Sequence, residues 1–140
     1  MFNPSREQVR QFFCDTWRKH RQDALLTPLE SMALDWILEH PEYHPDLESA
    51  EALAHDYTVE DGKTNPFLHL AMHLAIAEQL SIDQPPGIRA VYQTLVVRTD
   101  AHRAAHVVME ALGQVVWEAQ RGGAPLDSER YLDLLRRQLG

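Results

Sequence analysis

Three times in the first 66 residues, a side chain able to cap a helix stands directly before a proline: Asn3-Pro4, Thr27-Pro28 and Asn65-Pro66. Proline suits the first helical position because its missing N–H would have no intrahelical partner there anyway. Thr27-Pro28-Leu29-Glu30 also fits a capping box, in which Glu30 reaches back to the Thr27 amide. Thr99-Asp100 and Asp127-Ser128 offer two more caps. Between these starts, apolar residues recur at spacings of three and four, and no stretch alternates with a period of two. A chain written this way is all-α.

The spacing predicts helices near 4–22, with Val9, Phe12, Phe13 and Trp17, and near 28–40, with Met32, Ala33, Trp36 and Ile37. A short one is expected near 46–55 and a loop over 57–64, where Asp61-Gly62 falls. The segment near 66–82 is apolar on almost every side, the mark of a helix buried mid-domain. Pro85-Pro86-Gly87 closes it, and helices near 86–98, 101–121 and 128–139 follow, the longest stopped by Gly122-Gly123. Trp17, Trp36 and Trp117 all fall at core positions of this scheme. The expected architecture is a compact antiparallel helical bundle of five main helices plus one or two short ones, forming a single domain over 1–140.

At 140 residues the chain can bury a sizeable core without disulfides or metal. Its formal charge is −8, from 21 acidic and 13 basic residues, which repels phosphate backbones and argues against nucleic acid as a partner. The basic run Arg18-Lys19-His20-Arg21 closes the first helix, where cations offset the helix dipole. Cys14, the single cysteine, sits beside Phe12, Phe13 and Trp17 as a small core residue. With no internal disulfide to form and no signal-type N-terminus, a cytoplasmic location is expected. The segment 67–82 carries two histidines, a glutamate and a glutamine, so no membrane span is expected.

Eight histidines remain, and six of them form pairs four apart: His40 and His44, His69 and His73, His102 and His106. On a helix such a pair lies on one face, and two imidazoles at that spacing can hold one metal ion. Pro41 and Pro45 interrupt any continuous helix through the first pair. The other two pairs open their helices, and Glu110 extends the second as His-x-x-x-His-x-x-x-Glu. One helix separates the two, so in an antiparallel bundle they run the same way and both pairs lie at one end. The candidate ligands are therefore His69, His73, His106 and Glu110, with His102 as a ligand or a supporting neighbour. Helix N-termini disfavour imidazolium and so favour the neutral, metal-binding form. They also attract anions, a competing expectation. No His-Glu-x-x-His, cysteine pair or Glu-x-x-His accompanies the pairs. A network of buried, hydrogen-bonded histidines is the alternative.

Thr64-Asn65-Pro66-Phe67-Leu68-His69, Glu78-Gln79 and Asp83-Gln84-Pro85-Pro86-Gly87-Ile88-Arg89 resemble the hallmark segment of a short proteobacterial family, domain of unknown function 1841. The opening Met1-Phe2-Asn3-Pro4-Ser5-Arg6 and the run from Ala33 to His44 resemble it as well. The resemblance covers nearly the whole chain. It implies a stand-alone bacterial protein and no assigned activity. A weaker analogy runs to DinB-like helical bundles, which bind metal with a His-x-x-x-His pair and a third histidine. His69 and His73 match that pair, and the third ligand would be His40, His44, His102 or His106.

Besides an anion or small-ligand site at the helix N-termini, two functions follow. One is a metal-binding bundle carrying Zn, Fe or Mn, a hydrolase or transferase if three protein ligands leave a position open for water. The other is a non-catalytic adaptor whose histidines are structural and whose first helix, at Phe12 and Phe13, or last helix, 131–139, meets a protein partner.

Overall fold

The computed structural model describes residues 5–49, 51–54 and 65–139. Among these, seven α-helices and one 3₁₀ turn are found and no strand. They are α1 (Arg6–Arg21), α2 (Pro28–Leu38), the 3₁₀ turn Pro41–Tyr43, α3 (His44–Glu48), α4 (Pro66–Ile82), α5 (Ile88–Arg98), α6 (Ala101–Gly122) and α7 (Ser128–Arg137). The all-α expectation holds, but six helices of ten residues or more replace the expected five. The short helix starts earlier than expected and is only five residues long. Pro41 and Pro45 each supply a ready first-turn residue. The expected Asn3-Pro4 start and the loop over 57–64 lie outside the described residues.

The caps do what their side chains permit. Ser5 starts α1 through a capping box with Gln8. Thr27 accepts the Glu30 amide at 3.1 Å, and Glu30 accepts the Thr27 amide at 2.9 Å. Asn65 caps α4 by accepting from the Phe67 and Leu68 amides. Asp100 and Asp127 cap α6 and α7. Gly123 ends α6 with φ 63°, the left-handed cap that costs glycine least.

The chain divides into two compact units, residues 1–74 and 75–140. In the first, α1 and α2 pack as neighbours, and Phe13, Ile37, Leu47, Phe67 and Leu70 build a core. Arg10 is buried in it, donating to the Ala52 carbonyl at 2.9 Å with its guanidinium over the Phe67 ring. Lys19 meets Glu30 at 2.9 Å and Arg21 meets Glu48 at 2.7 Å, so the basic end of α1 ties it to α2 and α3. Burial raises the Cys14 thiol above its ordinary pKa, which keeps it a protonated packing residue.

In the second unit, α6 packs against α5 and α7. Ile88, Leu95, Val108, Val115, Tyr131 and Leu135 are buried. The turn between α4 and α5 is built by Asp83 and Arg89. The Asp83 carboxylate accepts from the Gly87 and Arg89 amides, and the Arg89 guanidinium donates to the Leu80 and Ser81 carbonyls that end α4. Gly87 takes φ 101°, which an L-residue avoids. Residues 83–89 thus make a corner.

Two expectations about burial are corrected. Helix α4 is not enclosed on every side, because Leu68, Ala75, Glu78 and Ile82 form an exposed strip along it. Trp117 is 52% exposed, with Arg121 lying over its ring at 5.1 Å. The arginine covers one indole face while its charge stays in water.

Candidate metal centre

The end of α2 prepares the site. Were the helix to continue, the amide of residue 41 would donate to the Ile37 carbonyl. Residue 41 is proline, so the helix stops and its last carbonyls need other donors. The His40 amide turns to the Ile37 carbonyl at 3.1 Å, and the His44 ring nitrogen Nε2 donates to the same oxygen at 2.9 Å. This leaves the Trp36 carbonyl to the His40 ring, whose Nδ1 lies 2.7 Å away. A carbonyl only accepts, so Nδ1 carries the proton. In neutral His40 the lone pair is then on Nε2, the nitrogen turned toward α4.

There it meets the His69 and His73 rings. His69 Nε2 lies 3.2 Å from His40 Nε2 and 3.1 Å from His73 Nε2. The donor atoms of these three residues all lie within 4.8 Å of one another. The i,i+4 spacing on α4 puts His69 and His73 on one face, with ring centroids 4.7 Å apart and nearly perpendicular. His40 and His73 are buried, and His69 is partly so.

Aromatic rings wall the cluster. The Trp36 indole stacks on His73 at 4.1 Å and 10°, while Tyr43 lies parallel to His40 at 5.2 Å and edge-on to His69 at 5.8 Å. Burial raises the Tyr43 phenol, with Glu42 and Asp46 adding to the shift, so it stays protonated at neutral pH. His44 is turned away from the cluster and stacks on Trp17 at 4.0 Å.

The proton arithmetic among the three Nε2 atoms is unfavourable. As a donor, His69 Nε2 can serve both neighbours only through one shared, weakened bond. As an acceptor it needs both neighbours to donate, which the neutral His40 tautomer forbids. A cation at the centre would receive all three lone pairs at once. With metal–nitrogen bonds of about 2.0–2.1 Å, tetrahedral ligands stand about 3.3 Å apart, close to the two separations here.

Of the ligands expected from sequence, His69 and His73 are brought together. His102 and His106 also meet, at 4.4 Å between ring centroids on α6. The two pairs belong to different units. Glu110, one turn beyond His106, is exposed. His40 was outside the favoured set, being only one of four alternatives for a third ligand. Its signal was the dipeptide His40-Pro41 at a helix end, where the missing N–H frees a carbonyl to orient the imidazole.

A sequence profile for a family of unknown function, DUF1841, matches residues 5–137. The chain belongs to this family. The DUF1841 match spans α1 to the last residue of α7, so the cluster and the Asp83–Arg89 corner both lie inside it. No curated protein and no solved structure matches the chain. Membership of DUF1841 therefore brings no activity with it, and the chemistry has to come from the site. Among the described residues, no helix is long and apolar enough to cross a membrane.

Proposed function

We propose that the protein binds a divalent transition metal through His40, His69 and His73. The observation that carries this reading is the convergence of three imidazole Nε2 atoms with contacts of 3.2 and 3.1 Å. Imidazole donors suit zinc and iron better than manganese, which favours oxygen ligands, so zinc or iron is the proposed ion. His106 is the proposed fourth donor, on the sequence argument that its helix and α4 run the same way. His102 would then orient His106 from behind, and the exposed Glu110 would act as a base or a further ligand on the solvent side. With three histidines alone, the fourth position is open to water, as in catalytic zinc sites. With His106 bound, the site is closed and structural.

The test uses full-length protein purified without a histidine tag. Elemental analysis should give near one equivalent of zinc or iron, and His69→Ala should lose it. A metal-free preparation that takes up neither ion at neutral pH overturns the reading. His106→Ala separates the two forms of the site, because a lost fourth imidazole changes the visible spectrum of the cobalt-substituted protein.

The second reading is a structural histidine network in an adaptor protein. It is favoured by the bonds of His40 and His44 to carbonyls of α2, which tie α2 to the segment that follows it, and by the Trp36–His73 stack, which holds α2 to α4 without an ion. The helix faces expected to meet a partner give it less support. Phe13 on α1 and Tyr131, Leu132 and Leu135 on α7 are buried. Metal uptake decides between the readings.

A further inference from the structure

Trp36 touches the cluster twice, through groups of different kinds. Its carbonyl fixes the His40 proton on Nδ1, and its indole lies flat on His73 at 4.1 Å and 10°. We infer that Trp36 is a positioning residue that aims two of the three metal-binding imidazoles. The inference rests on the metal reading above and assigns a role to a residue that offers no ligand atom.

The geometry explains why an aromatic side chain is needed. A histidine on a helix can turn about χ2, which is broad and roughly two-fold, so its ligating nitrogen is not fixed by χ1 alone. A ring stacked flat on the imidazole restricts that turn. His73 lies wholly buried beneath the indole, and its Nε2 points at His69. Tyr43 does the same for His40, lying parallel within 4°. Neighbours that orient a metal-binding histidine typically change affinity about 10–100-fold when removed. Trp36 differs from the usual carboxylate neighbour, since it holds one ring by its face and the other by its main chain.

The side chain and the carbonyl can be tested apart. Substitution removes the stack but keeps the carbonyl. In the metal-free wild type, the His73 ring protons should be shifted upfield by the indole, and long-range proton–nitrogen NMR should show His40 protonated on Nδ1. Trp36→Leu should then bind zinc about 10–100-fold more weakly, with Trp36→Phe recovering much of the loss. The Trp36→Leu protein should keep its His40 tautomer and its helical circular dichroism. Zinc affinity in Trp36→Leu equal to wild type overturns the inference, as does loss that Trp36→Phe fails to recover. Should Trp36→Leu not fold, the Trp36→Phe affinity and the wild-type ring-current shift decide. A wild type that takes up no zinc sinks the metal reading. The ring-current shift then decides alone whether Trp36 orients His73, and its absence overturns that too.

Discussion

Replacing His69 by alanine should remove most of the thermal stabilisation that zinc confers. His69 Nε2 stands in both short contacts of the cluster, so its loss removes the 3.2 Å and the 3.1 Å contact together. An ion that binds only the folded state stabilises it by RT ln(1 + [L]/Kd), about 2.7 kcal/mol at a hundredfold excess over Kd. If the variant binds about a hundredfold more weakly, the same free zinc concentration equals its Kd and contributes only about 0.4 kcal/mol. At about 3 °C per kcal/mol for a chain of this size, zinc should raise the wild-type Tm by about 8 °C and the variant Tm by about 1 °C. The assay is thermal unfolding followed by circular dichroism on untagged protein, each variant compared with itself with and without zinc. That comparison removes any effect of the truncation on the metal-free protein. Equal shifts in the two proteins, or none in wild type, would refute the reasoning.

Three further outcomes are expected. Thr27→Ala removes the cap of α2 and should cost about 1 kcal/mol in urea unfolding, whereas Ser at that position should cost little. The Glu30 carboxyl is held below its ordinary value by the Thr27 amide first and by Lys19. Its folded state thus binds fewer protons than the unfolded one, so its stabilisation is present above the ordinary value of 4.5 and is lost as pH falls through the folded value. Glu30→Gln should therefore flatten the acid side of a plot of urea midpoint against pH, and an unchanged slope would contradict it. Tyr131→Phe removes a buried hydroxyl that donates to Gln79 at 2.8 Å, and should lower the unfolding free energy by about 1–2 kcal/mol without changing zinc uptake.

Local signals were legible because they act over three or four residues. Thr27 with Glu30, Asn65, Asp100 and Asp127 each cap the helix they precede, and Gly123 ends α6. The pairing of His69 with His73 is equally local, being one helical turn. What escaped depends on neighbours remote in sequence. Periodicity marked Trp117 as core, yet Arg121 shields the ring's face and leaves the rest in solvent. The apolar character of α4 concealed an exposed strip at Leu68, Ala75 and Ile82 that only packing reveals. His40 was passed over because pairs were sought on single helices, while its partners lie 29 and 33 residues along the chain and its ring is aimed by a broken helix end.

Pro41 contributes no ligand, no charge and no hydrogen bond to the cluster, yet it governs which nitrogen of the preceding imidazole is nucleophilic. An alanine there would hand the Ile37 oxygen an ordinary amide, extend α2 by a turn and release the Trp36 oxygen to the backbone ladder. The neighbouring ring would then be free to flip, with its basic edge no longer committed in advance. Affinity for a cation in this protein would in that way be set by a gap in main-chain pairing, at a residue that no search for chelating side chains would select.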